Sequence, residues 1–156
     1  MKTIKYGFTC GSMDLLHVGH IRMLKWCAEH CDRLIVGVQK DPSVDRPYKH
    51  RPIIMWKDRI EMVHAIKYVY QVIPYTTERD LEQVLKRLLR KNRIHVRFLG
   101  EDWKGKKFTG WELPIPIVFN PRKHSYSSSH IREIIFKRIL KEKQNRNLTP
   151  SGKIKK

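Results

Sequence analysis

Apolar positions along the chain fall into runs and stripes whose period changes from one segment to the next. The run KTIKYGFTC at residues 2–10 is short and stops at Gly11, while Ile21, Leu24, Cys27, Ala28 and Cys31 then recur at helical spacing opposite Arg22, Lys25 and Glu29. That pattern predicts a strand followed by an amphipathic helix. RLIVGVQ, residues 33–39, is a continuous apolar run bounded by charge, as expected of a strand buried on both faces. Residues 40–52 are rich in proline and charge and are expected to form a loop, after which a helix over 55–69 turns Ile60, Val63 and Ile66 inward. QVIPY at 71–75 is the third strand. Residues 78–92 carry the clearest stripe, Leu81, Val84, Leu85, Leu88 and Leu89, with acid early and base late as a helix dipole prefers. HVRFLG at 95–100 and PIPIVFN at 114–120 supply strands four and five, and a serine-rich turn opens a last helix with Ile131, Ile134, Ile135 and Ile139.

Strands alternating with helices predict an α/β class: a Rossmann-like, doubly wound parallel sheet of about five strands with helices on both faces. In such a sheet a ligand belongs at the carboxyl ends of the strands, where the strand order reverses. The loops at 11–20, 40–54, 100–110 and 120–130 should therefore meet at one cleft. No internal repeat or linker divides the chain, so the expected organisation is one domain over residues 1–143 and a basic, disordered tail over 144–156.

Composition narrows the classes. The 156 residues suit a single core. The opening residues lack the apolar core of a signal peptide, and no run approaches the roughly 20 apolar residues of a membrane span, so a soluble cytoplasmic protein is expected. Cys10, Cys27 and Cys31 make an odd count without a CxxC pair, which argues for reduced thiols. Cys27 and Cys31 lie one helical turn apart with His30 between them; core packing explains that spacing better than zinc. The formal charge is +18, and from 137 to 156 eight basic residues face Glu142 alone. Such a balance concentrates polyanions. The basic residues are dispersed and no nucleic-acid-binding motif accompanies them, which leaves nucleic acid as a secondary contact through the tail.

The strongest chemical signal is GSMDLLHVGH, residues 11–20, between the first strand and the first helix. Free backbone N–H groups and the helix dipole favour an anion there. His17 and His20, three residues apart, project from the same face of a helical start, and Gly19 leaves room for a phosphate to approach the backbone. Two imidazoles aimed at one phosphate can donate to the charge that builds on its oxygens during displacement.

On four segments the chain resembles the cytidylyltransferase-like nucleotidyltransferases, and within them the bacterial glycerol-3-phosphate cytidylyltransferases. The resemblance covers residues 3–140 or so. DLLHVGH is similar to the HxGH signature. Residues 49–74 place Lys49 and Arg59 where the family has a phosphate-binding lysine and a helix arginine, with Tyr70 standing where an aspartate is usual. FLGEDWKGK at 98–106 is similar to a G-D-D-W-E-G-K stretch, and PRKHSYSSSHIRE at 121–133 to R-T-E-G-I-S-T-T, with Lys123, His124 and Ser125 replacing Thr, Glu and Gly.

The resemblance implies transfer of CMP from CTP to a phosphorylated small alcohol such as glycerol-3-phosphate, with release of pyrophosphate. It implies catalytic roles for His17, His20, Lys49 and Arg122. Nucleotide contacts would come from Cys10, Gly11, Ser12, Met13, Asp14, His17, Gly19, His20, Arg122 and the hydroxyl triplet Ser127, Ser128 and Ser129. Acceptor contacts would come from Lys49, Arg59, Asp102 and Trp103. Mg²⁺ is expected to travel with the triphosphate, held by phosphates and water rather than by a protein cage, and a homodimer is carried over from the family. The run S-S-S-x-I-R-E also resembles adenylyltransferases, the phosphopantetheine enzyme and archaeal FAD synthetases among them, so ATP with a phosphorylated acceptor stays open beside CTP.

Overall fold

The computed structural model describes residues 3–121 and 126–148. Its elements alternate as the apolar pattern requires: β1 (Tyr6–Gly11), α1 (Val18–Glu29), β2 (Arg33–Gln39), α2 (Trp56–His64), β3 (Gln71–Tyr75), α3 (Glu78–Arg90), β4 (Val96–Gly100), a 3₁₀ turn (Glu101–Trp103), β5 (Ile117–Asn120) and α4 (Ser128–Leu148). The five strands form one sheet in the order β3-β2-β1-β4-β5, and every pairing is parallel. The chain thus winds outward from β1 through β2 to β3, returns to the other side of β1 at β4, and ends at β5. The reversal between β1 and β4 opens the crevice in which an α/β sheet binds its ligand.

Side-chain alternation divides the core into two layers. Phe8, Ile35, Ile73 and Tyr75 pack beneath Leu81, Val84, Leu85 and Leu88 of α3 on one face. Leu34, Val36, Val38, Val96 and Phe98 pack on the other face against Leu24 and Cys27 of α1 and Val63 of α2. Cys27 belongs to this second layer, and its burial pushes the thiol pKa up. Cys31 donates to the Cys27 carbonyl at 3.3 Å. Cys27 within α1 and Cys31 just beyond its end are therefore packing groups, as the spacing suggested.

Four elements differ from the pattern reading, the first being β1, which begins at Tyr6 rather than at the start of the 2–10 run. Helix α2 ends at His64 rather than near 69; Ile66 and Val69 still pack on the core from the turns that follow, so their periodic burial outlasts the helix. Strand β5 begins at Ile117 rather than 114, because Pro114 and Pro116 have no N–H to donate to a ladder. Helix α4 carries Ile135, Phe136, Ile139 and Leu140 exposed, with Ile131 and Ile134 half-buried, and it continues to Leu148, past the boundary expected at 143. Residues 149–156 of the expected tail lie outside the described residues. No helix among the described residues is long and apolar enough to cross a membrane.

Gly37, in β2, leaves room for Cys10 and Phe8 of β1 and for the Tyr75 ring of β3. A Cβ there would lie 2.9 Å from both the Cys10 Cβ and the Phe8 Cζ, and 3.2 Å from the Tyr75 ring. The substitution Gly37→Ala should cost about 1–3 kcal/mol through overpacking. Urea unfolding followed by circular dichroism would read this as a lower midpoint; an unchanged midpoint would mean that the ring of Tyr75 and its neighbours give way freely.

Candidate active site

The loop from Gly11 to His17 leaves β1 at the crevice and is held open by one buried carboxylate. Met13 and Leu15 both have left-handed backbone, with φ of 50° and 47°, a conformation that costs on the order of 1 kcal/mol or more for each non-glycine residue. Asp14 sits between them, 3% exposed. Its carboxylate accepts from the Ile53 N–H at 3.1 Å, the Ile54 N–H at 2.9 Å and the Arg132 guanidinium at 2.7 Å. Its own carbonyl accepts from the Ser128 hydroxyl at 2.6 Å. Burial alone would raise the Asp14 pKa, but the two N–H groups and Arg132 outweigh it and hold the carboxyl below its ordinary value. One side chain thereby joins the loop after β1, the loop before α2 and the first turn of α4.

Arg59 does the same with opposite charge. It is 1% exposed. Its guanidinium donates to the carbonyls of Ile54 at 2.9 Å, Gln39 at 2.8 Å, Lys40 at 2.6 Å and also Ser12. Burial lowers its pKa, and Asp14 and Asp41 oppose that shift. The expectation that Arg59 touches an acceptor is therefore corrected. It is a positioning residue, four of whose five donors are spent on backbone. Asp14, expected as a nucleotide contact, is likewise buried and bonded within the protein, where it anchors the loop after β1.

Helix α1 starts at this loop with a reciprocal histidine cap. The Gly19 N–H donates to His17 Nδ1 at 3.1 Å, and the His17 N–H donates to His20 Nδ1 at 3.3 Å. Each Nδ1 is an acceptor, so the proton of each neutral imidazole resides on Nε2, which makes Nε2 a donor. The two ring centroids lie 3.9 Å apart with the ring planes tilted by 32°. Both line a cavity of about 370 Å³ with Gly11, Ser12, Gly19, Asn120, Ser127 and Ser128.

Cys10, Met13, Lys49, Asp102 and Tyr126 complete the part of this wall that bears on the chemistry. The Tyr126 ring faces that of His17 at 6.4 Å. Ser127 caps α4, its hydroxyl accepting from the His130 N–H at 3.1 Å, while Ser128 is tied to the Asp14 carbonyl. Ser129 is exposed and is not among the described lining residues, so the hydroxyl triplet is reduced to a pair at the cavity. Arg122, together with Lys123, His124 and Ser125, lies outside the described residues.

A second cavity of about 230 Å³ adjoins the first and shares Cys10, Gly11, Ser12 and Lys49 with it. Trp103 belongs to this second cavity and Asp102 to the first; the acceptor pair of the sequence reading is thus split across the junction. The second cavity also brings in residues that motif reasoning passed over: Gln39, Arg46, Glu78, Arg97 and Thr109. Two of them had a signal in the sequence, since Gln39 and Arg97 are polar side chains set within apolar strands.

A family model described as cytidylyltransferase-like matches residues 8–134. The glycerol-3-phosphate cytidylyltransferase of Bacillus subtilis (strain 168) is 32% identical over 139 residues, covering 85% of this chain and 98% of that protein. The bifunctional protein HldE of Hyphomonas neptunium is 40% identical over 82 residues, 52% of this chain but 17% of the relative. Among solved structures, the lipopolysaccharide core biosynthesis protein from Thermoplasma volcanium GSS1 superposes with a TM-score of 0.58 at 25% identity, covering 80% of this chain and 100% of that one.

Because Asp14 ionises more readily folded than unfolded, its contribution to stability is fully present above the ordinary carboxyl pKa of 3.8 and is lost as pH falls through the lower folded value. Asp14→Asn should destabilise the fold by about 3 kcal/mol at neutral pH, since Arg132 is left without its counter-charge. The gap to the parent should narrow as the pH drops below that value. Urea titrations at pH 7 and near pH 3 measure this, and a gap of equal size at both would exclude an ionised Asp14 as the anchor.

Proposed function

The chain belongs to the cytidylyltransferase-like family of nucleotidyltransferases, and from that premise we propose that it transfers CMP from CTP to a phosphorylated small alcohol. The observation that carries the reading is the adjacent His17–His20 pair, each Nδ1 tied to backbone, on the wall of one cavity that shares Lys49 with another. The first cavity would take the nucleotide and the second the acceptor. An acceptor phosphate oxygen attacks the α-phosphorus in line, and the bond from that phosphorus to the bridging oxygen of pyrophosphate breaks. The attacking oxygen is already ionised at neutral pH, so no general base is needed, and the protein's work is positioning and charge stabilisation.

In this reading His17 and His20 donate from Nε2 to the α-phosphate oxygens, where negative charge grows in the transition state. Lys49 bridges that phosphate and the acceptor's phosphate. Pyrophosphate lies toward Ser127 and the N-terminus of α4, whose dipole favours it, and Arg122 would add donors there. The described lining of the nucleotide cavity is made mostly of donors and holds one carboxylate, Asp102. That set suits phosphate oxygens, so Mg²⁺ would be held chiefly by the triphosphate and water, supplying charge neutralisation on the leaving group. A cytoplasmic homodimer is part of the same proposal.

Preference for CTP is supported by the Bacillus relative's cytidylyl activity as named, together with the D-L-L-H and G-E-D-W-K-G-K forms of the motifs. An adenylyl transfer with the same geometry is the alternative, motivated by S-S-S-x-I-R-E. Removing either imidazole, in His17→Ala or His20→Ala, should lower kcat by about 100- to 1000-fold, as loss of one oxyanion donor does. A cost of about 1 kcal/mol in stability should accompany it through the lost cap. Turnover at the parent rate in either variant would remove the pair from the chemistry. Base choice is tested separately. CTP should exceed ATP by at least about tenfold in kcat/KM, equivalent to roughly 1.4 kcal/mol of differential transition-state binding. Pyrophosphate release from the four ribonucleotides measures this, and equal or better use of ATP replaces the cytidylyl reading with the adenylyl one.

A further inference from the structure

The second cavity contains a charge with nothing to answer it. Arg97 is a strand residue, 2% exposed, and it lines this cavity. Its Nη1 donates to the Thr109 carbonyl, and its guanidinium lies 5.3 Å from the centroid of the Phe108 ring. Its Nε has no partner among the described residues, and its Nη2 reaches only Cys10 Sγ, at 4.0 Å. The Nε–Nη2 edge is the fork with which a guanidinium takes both oxygens of a carboxylate at once. An unpaired buried guanidinium is costly. Cys10, beside which that edge lies, also lines both cavities.

Among the described residues the other arginine of this lining, Arg46, has a counter-charge in Glu78, although its Nε, like that of Arg97, has no hydrogen-bond partner. Glu78 Oε1 forms an ion pair with Arg46 Nη2 at 2.9 Å and accepts from Gln39 Nε2 at 3.4 Å, and its Oε2 accepts from the Thr109 hydroxyl. Arg46 also donates to Gln39 Oε1 at 2.6 Å. Arg46 and Glu78 cancel, which leaves two cations, Lys49 at the junction of the cavities and Arg97 at the wall. The transferred phosphate accounts for Lys49.

We propose that the acceptor carries a second anionic group, a carboxylate at the end remote from the transferred phosphate, held by the Nε–Nη2 edge of Arg97; the acceptor is then a phosphorylated hydroxy acid. This rests on the transferase reading of the site. The carboxylate takes no part in bond making: the acceptor's phosphate oxygen forms the new bond to the α-phosphorus, the electron pair of the broken bond leaves with pyrophosphate, and the carboxylate only fixes which acceptor is held in line. A single negative charge matches the one unanswered cation. A second phosphate would bring excess charge next to Glu78, and an ammonium end would face Arg97 directly.

The test measures pyrophosphate release at subsaturating acceptor, with CTP and with ATP, for 3-phosphoglycerate, glycerol 3-phosphate, phosphoethanolamine and 1,3-propanediol bisphosphate. Thermal unfolding with each acceptor alone runs in parallel. The expected kcat/KM for 3-phosphoglycerate is at least about tenfold above that for glycerol 3-phosphate, the scale of one charge-assisted fork. In Arg97→Lys, which keeps the charge and loses the fork, that ratio should fall toward unity, mainly through a higher KM for 3-phosphoglycerate. Glycerol 3-phosphate or the bisphosphate used as well as 3-phosphoglycerate overturns the proposal, as does a ratio untouched by Arg97→Lys. If that variant fails to fold, the acceptor ranking of the parent protein decides alone. Should no acceptor release pyrophosphate while 3-phosphoglycerate still raises the melting temperature above glycerol 3-phosphate, the transferase reading falls and the Arg97 carboxylate site stands. No release and no selective stabilisation removes the Arg97 site.

Discussion

The Asp14 carboxylate is the constraint on which the rest of the site depends. Three segments far apart in sequence converge on it: its own loop after β1, the 53–54 backbone before α2, and the start of α4 through Arg132 and Ser128. The loop it anchors carries two non-glycine residues in left-handed backbone, a geometry that does not persist unless the surroundings enforce it. The carboxylate supplies that enforcement by accepting N–H groups that a loop would otherwise leave to water. Arg59 completes the arrangement from the other side by donating to carbonyls of the same loops. The loops that line the first cavity are therefore held by buried charge on backbone.

The sheet explains why this clamp stands where it does. Winding outward from β1 to β3 and then back to β4 leaves the carboxyl ends of β1 and β4 side by side with no crossover connection between them. Every loop that enters the crevice leaves one of these strands or a neighbour. Asp14 and Arg59 help to fix the separation of these loops, and the proposed reaction, with positioning as its catalysis, would be sensitive to shifts of about an ångström.

Much of this arrangement was legible in the sequence. Apolar runs of strand length and stripes of helical period are direct consequences of two-layer burial, so β2, β3 and α3 start where the pattern puts them. The turn between β1 and α1 was legible because glycine, histidine and a helix start stand together. Individual roles were less so. Arg59 and Asp14 carry charge and lie beside the motif, and a sequence does not say whether a charge faces a ligand or a carbonyl; burial decides that, and burial here comes from packing between distant segments. Gln39, Arg46, Glu78 and Arg97 were missed for the same reason, since their common cavity exists only after β2, α3 and β4 are placed. The polar positions in RLIVGVQ and HVRFLG were the available clue, because a strand buried on both faces has no cheap place for a guanidinium.

The two histidines show how closely fold and chemistry are joined. A motif histidine that caps a helix and one that faces a phosphate look like competing assignments, yet the ring has two nitrogens with separate tasks. Because Nδ1 of each accepts a backbone N–H, the cap fixes the tautomer and the ring plane together. The hydrogen bonds that start α1 thus determine which nitrogen carries the proton at the cavity. A residue of another type could cap the helix, and a lysine could supply charge, but neither would combine a neutral donor with an orientation set by the backbone. The three-residue spacing of His17 and His20 is what a reciprocal cap requires, and the same spacing sets the ring centroids 3.9 Å apart, the proximity that the proposed shared phosphate contact needs.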